Sequence, residues 1–144
     1  MSVNESTLQN YPDRYFDAWN QRELDVALDV VAPALEWVDP SLPEPLTSRE
    51  GAAAFFQGAW AAFPDVRLDK VGEPLIDVVN GSVACEWIMT GTHTGDGFPP
   101  GVSASGNSFT VAGCDVWYVD DEGRAARIHA FYDAGSFARQ LGLA

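Results

Sequence analysis

After Phe63 the residue periodicity of this chain shifts from mainly helical to alternating, and that shift limits the folds open to it. Up to Phe63 apolar residues recur at helical spacing; beyond Pro64 they alternate. Tyr15 and Trp19 stand four apart, and Leu24, Ala27, Leu28 and Val31 keep the spacing i, i+3, i+4, i+7, which predicts two helices. Pro12 fits the first turn of the earlier helix, where its missing N–H costs nothing. Residues 34–38 read as a short strand, closed by Asp39-Pro40 and a loop over 41–46. A third helix carries Ala52, Phe55, Phe56, Ala59, Trp60 and Phe63 on the 3.6 period; Thr47 and Glu50 form a capping-box pair before it and Pro64 stops it.

Beyond that helix the chain reads as an antiparallel meander. Residues 66–79, an Asn80-Gly81 hairpin turn, residues 82–92, residues 109–119, the acidic turn 120–123 and residues 124–132 supply four strands in succession. Helices first and sheet second imply an α+β architecture: three N-terminal helices packed in the concave face of a curved, mostly antiparallel sheet, a cone with a central cavity. The stretch 91–108 holds five glycines and two prolines and reads as the lid or rim of that cone. At 144 residues the chain fits a single domain, 1–144.

Composition narrows the partners. The 21 acidic residues against 8 basic give a net charge of −13, which repels a phosphate backbone, so nucleic acid is not expected. The longest apolar runs fall well below the roughly 20 residues of a membrane span, and the polar start lacks a signal-peptide pattern, so we expect no membrane partner and a cytoplasmic protein. Cys85 and Cys114 sit in strand-like runs and are expected to be free thiols. Two distant histidines and scattered acids give no metal-ligand spacing, and the Gly95-Asp96-Gly97 run precedes prolines and a strand rather than a helix; no metal and no cofactor are expected.

Arg14-Tyr15-Phe16, Trp19-Asn20, Leu24-Asp25, Asp39-Pro40, the run from Gly91 to Gly95 and the closing Gln140-Leu141-Gly142 together resemble the nuclear-transport-factor-2-like superfamily, with SnoaL-like polyketide cyclases nearest. The stretch 14–40 also looks like ketosteroid isomerase without a gap. That resemblance places Tyr15 at the oxyanion-hole tyrosine, Asp39 at the base and, through Cys114-Asp115-Val116-Trp117, Asp115 at the second oxyanion donor. The cyclase resemblance implies a catalytic acid on the last strand, where this chain carries Ala130; Asp133 is the nearest substitute, although it reads as a helix N-cap. Related epoxide hydrolases use an arginine two residues before the strand aspartate, a position held here by Gly113.

Moving a proton beside a carbonyl requires a carboxylate to take it and hydrogen-bond donors to hold the charge that develops on oxygen. Asp39, Tyr15 and Asp115 are the expected catalytic set. Asp115 can donate only when protonated, which an apolar strand face shared with Val111, Gly113, Trp117 and Val119 would favour. For Asp39 the rival reading is a turn residue, for Tyr15 a core aromatic, and for Asp115 an outward-facing acid on the other register. Trp19, Trp37, Trp60, Trp87, Trp117 and His93 are candidate substrate contacts, with core packing, or a loop histidine bonded to backbone, as the alternative. His129 is expected to be exposed or interfacial. The expected function is a cofactor-independent acid/base enzyme acting on an enolisable carbonyl of a hydrophobic, polycyclic molecule, by isomerisation or intramolecular aldol cyclisation; the alternatives are a non-catalytic hydrophobic binding protein and, less favoured, an epoxide hydrolase. The outward positions Thr110, Ala112, Val116 and Tyr118 suggest a homodimer through the sheet.

Overall fold

The computed structural model describes residues 3–143. Helices α1 (Glu5–Gln21) and α2 (Leu24–Leu28) precede strand β1 (Val31–Val38); α3 (Arg49–Ala62) comes next, then β2 (Arg67–Asp77), β3 (Ser82–Thr92), β4 (Ser108–Val119), β5 (Ala125–Tyr132) and α4 (Ala134–Gln140). The strands form one sheet in the order β1-β5-β4-β3-β2, antiparallel throughout except where β1 runs parallel to β5. The α+β arrangement expected from the periodicity is therefore present, with α1 lying across β2 and β3 and α3 against β1.

Local departures from the sequence reading have identifiable causes. Pro12 lies inside α1 rather than in its first turn, because Asn4 caps the helix by accepting from Thr7 N at 2.8 Å. The buried stripe Leu8, Tyr11, Tyr15 and Trp19 carries the helix through the proline, and the Tyr11 hydroxyl donates to Val30 O at 2.6 Å. Val31, expected in the second helix, instead begins β1 because it pairs with Ala125. Pro33, which cannot donate to a ladder, falls where the β1 register shifts on this edge strand. The cap of α3 is Ser48, whose Oγ accepts from Gly51 N at 3.0 Å, not Thr47.

The glycine-rich segment is bolted to the end of α3. Thr94 N and Gly95 N both donate to Ala62 O, at 3.1 and 3.0 Å. A Cβ on Gly95 would stand 1.7 Å from Ala61 O, so only glycine permits this approach. The docking brings Phe98 over Phe63, with ring centroids 5.5 Å apart. His93 anchors the base of the same loop from inside: it is fully buried and its Nδ1 accepts from Ser105 N at 3.2 Å.

Candidate functional site

Between the sheet and the helices lies a cavity whose walls include Tyr15, Asp39 and Asp115. The three residues come from α1, the end of β1 and the middle of β4, and they converge because β4 and β5 pair next to β1. The cavity volume is about 60 Å³. The remaining walls are almost all apolar, with Trp19, Trp37 and Trp87 among them.

Asp39 closes a turn. Its Oδ1 accepts from Ser41 N at 2.8 Å, and the loop beyond is pinned where Trp37 and Leu46 exchange backbone hydrogen bonds at 2.8 and 2.9 Å. Tyr132, at the end of β5, donates its hydroxyl to the same Oδ1 at 2.5 Å; Ser41 Oγ stands 2.5 Å from that hydroxyl. Since Tyr132 donates to Asp39, Ser41 is the group that donates to Tyr132. Both bonds to Asp39 fall on Oδ1, which leaves Oδ2 as the oxygen to receive a proton. Burial raises the Asp39 carboxyl above its ordinary range, and the bonds from Tyr132 and Ser41 oppose that rise without cancelling it. The turn reading and the functional reading of Asp39 are thus compatible, one oxygen serving each.

Asp115 sits at 4 % exposure on the inward face of β4, opposite Cys85 and Ala130. Its Oδ1 has no hydrogen-bond partner among the described residues. Burial pushes its pKa up to about 8; the charge of Asp39 adds to the rise, while the Trp87 indole and Tyr15 hydroxyl nearby oppose it. Asp115, pushed up to about 8, keeps its proton at neutral pH and can donate, whereas at Asp39 the bonds from Tyr132 and Ser41 favour the charged form that can accept. Tyr15 is 2 % exposed, and burial, with Asp115 next, holds its phenol well above the ordinary value. Trp117 backs the Tyr15 ring at a centroid distance of 5.0 Å.

Not every expected contact reaches the cavity. Trp117 is fully buried behind Tyr11, Tyr15 and Phe16, so it supports the site without lining it. Trp60 turns away from it, donating to Trp19 O at 3.0 Å and stacking on Phe56. His93 holds the loop base instead of a mouth position. Conversely, Tyr132, Phe55 and Phe98 line the cavity and Ser41 bonds to Tyr132, roles that the sequence patterns do not assign to them. Tyr132 shares the inward alternation of Ile128 and Ala130, a signal present in the sequence, but its meeting with Asp39 depends on the parallel β1–β5 pairing.

Two alternatives are settled locally. Asp133 is the N-cap of α4, accepting from Ser136 N at 2.9 Å, so it does not stand in for the missing acid, and Ala130 presents only a methyl group to the cavity. A Cβ at Gly113 would lie 2.5 Å from the Trp87 ring and 2.7 Å from Phe131 O, which leaves no room there for an arginine. His129 is half-buried and stacks on Phe131 at 4.0 Å, and both cysteines are free thiols. Among the described residues no helix is long and apolar enough to cross a membrane, and no group of His, Cys, Asp or Glu is arranged to hold a metal ion.

An open sheet covered by helices, with an apolar cavity between them, is a fold shared with an NTF2-like protein from Burkholderia pseudomallei K96243, at a TM-score of 0.75 and 18% identity over 94% of this chain and 97% of that one. The chain belongs to the SnoaL-like domain family, whose sequence profile matches residues 13–128. Among solved structures, a candidate SnoaL-like polyketide cyclase from Jannaschia sp. CCS1 superposes with a TM-score of 0.82 at 20% identity, over 100% of this chain and 97% of that one. A candidate polyketide cyclase from Xanthomonas campestris pv. campestris gives 0.81 at 21%, over 96% and 99%. TsrD from Streptomyces laurentii gives 0.80 at 19%, over 99% of each chain. At these identities the likeness establishes the fold. No curated protein matches the sequence.

Proposed function

We propose that this chain is a cofactor-independent acid/base enzyme that moves a proton beside the carbonyl of a hydrophobic, polycyclic molecule in the cytosol. The observation that carries the reading is the convergence of Tyr15, Asp39 and Asp115 on one apolar cavity, where burial raises both carboxyls and the bonds from Tyr132 and Ser41 oppose that rise at Asp39. Asp39 Oδ2 takes the proton from the carbon next to the carbonyl. The C–H electron pair moves into the enolate, whose oxygen accepts hydrogen bonds from Tyr15 and protonated Asp115. In an isomerisation Asp39 returns the same proton to a more distant carbon; in an aldol cyclisation the enolate carbon attacks a second carbonyl of the same molecule and the proton goes to the new alkoxide. Either route closes with no other reactant.

The test is hydrogen exchange, which isomerase and cyclase share. The protein is expected to accelerate loss of the α-proton signal of 2-tetralone in D₂O, followed by NMR. Tyr15→Phe removes one oxyanion donor and should raise the barrier by about 2.7–4 kcal/mol, a rate loss of roughly 10²–10³. Wild-type protein that binds 2-tetralone without accelerating exchange would favour the second reading, a binding protein, which the methyl group of Ala130 at the cyclase acid position supports.

A homodimer through the outer sheet face belongs to the same proposal. Ala112 and Ile88 face outward opposite each other there, and Phe131, paired with Cys114, is 48% exposed. Burying such apolar surface against a second copy favours a two-fold assembly. Sedimentation equilibrium at micromolar concentration is expected to give twice the chain mass of 15.6 kDa.

A further inference from the structure

Beside the cavity an apolar groove runs between α3 and the two proline-bearing loops, and Phe55 and Phe98, with ring centroids 6.3 Å apart, are walls of both spaces. Polar continuity accompanies the shared walls: Ser41 lines the groove, and its hydroxyl meets Tyr132, a wall of the cavity, which in turn meets Asp39. The two spaces differ sharply in room. The cavity volume is about 60 Å³, against about 310 Å³ for the groove. A molecule of several fused rings is too large for the cavity alone.

Resting on the function proposed above, we propose that the groove is the second half of the substrate site and takes an extended apolar arm, while the enolisable carbonyl occupies the cavity. The substrate class is then a cyclic ketone carrying a chain or further rings opposite the reacting carbonyl. Gly58 lines this groove. A Cβ added there meets nothing within 4 Å, so a larger residue at 58 fills the groove without displacing its neighbours and replaces a weak helix former with a strong one.

The probes are 2-naphthol, a planar enol mimic, and 6-hexyl-2-naphthol, whose chain leaves the rings on the side opposite the hydroxyl. Isothermal titration calorimetry on the full chain is expected to show the hexyl compound binding at least about tenfold tighter. Gly58→Leu should remove that advantage and leave 2-naphthol affinity unchanged, and its melting curve confirms folding. Gln57→Leu adds the same apolar bulk on the exposed neighbouring position and should alter neither affinity. If 2-naphthol binds but the hexyl chain adds nothing, or Gly58→Leu weakens both compounds alike, the groove assignment is wrong and the cavity reading stands. If 2-naphthol itself fails to bind the wild-type chain, both readings fall.

Discussion

Asp39→Asn is expected to slow α-proton exchange of 2-tetralone by about 10²- to 10⁴-fold, the range for removal of a positioned general base. Asparagine keeps the oxygen that accepts from Ser41 N and Tyr132, so the turn and the loop to Leu46 should survive and the affinity for 2-naphthol should hold. What disappears is Oδ2, the oxygen proposed to take the proton. Tyr132→Phe makes the complementary case, because it leaves the base in place but removes a donor that favours its charged form. The Asp39 carboxyl then rises further, and the acid limb of the exchange rate against pH moves to higher pH. An Asp39→Asn variant as fast as wild type would exclude Asp39 as the base.

Asp115→Asn should stabilise the protein, and more so as pH rises. The carboxyl titrates near 3.8 when unfolded and is pushed up to about 8 when folded. Between those values the folded chain retains a proton that the unfolded chain has released, so this group subtracts stability as pH increases. Once pH passes 8 the loss is on the order of 5 kcal/mol. The asparagine variant has no such loss. Urea unfolding at pH 4, 6 and 8 should therefore give curves that separate progressively, the other carboxylates cancelling between the two proteins. Exchange activity of the wild type should fall above about pH 8, where ionised Asp115 no longer donates, and that limb should be absent from the variant. A stability difference that does not vary with pH would mean that Asp115 is ionised and solvated, and would remove it as a donor.

Individual residues show where the sequence was sufficient. Alternation grouped Asp115 with Val111, Trp117 and Val119 on one face of β4, and the structure turns that face inward rather than the opposite one. Asp133 before a helical stretch and Asn80-Gly81 between alternating runs are local signals, and the structure obeys both. Tyr15 and Trp19 share the buried stripe of α1 because residues four apart in a helix share a face. The tryptophans could not be sorted in this way. Trp87 and Trp117 alternate inward on adjacent strands, yet Trp87 lines the cavity while Trp117 is sealed beneath α1.

The sequence by itself determined the order of elements, the inward side of the central strand and the polar residues able to face an apolar interior, because periodicity and turn chemistry act over a few neighbouring residues. The tertiary structure alone decided that β1 lies parallel to β5 and so delivers Tyr132 to Asp39, a pair 93 positions apart. It also decided that Gly95 brings the loop bearing Phe98 against α3, between the cavity and the groove. Contacts between distant segments depend on how whole surfaces fit together, and no short stretch of chain encodes that fit.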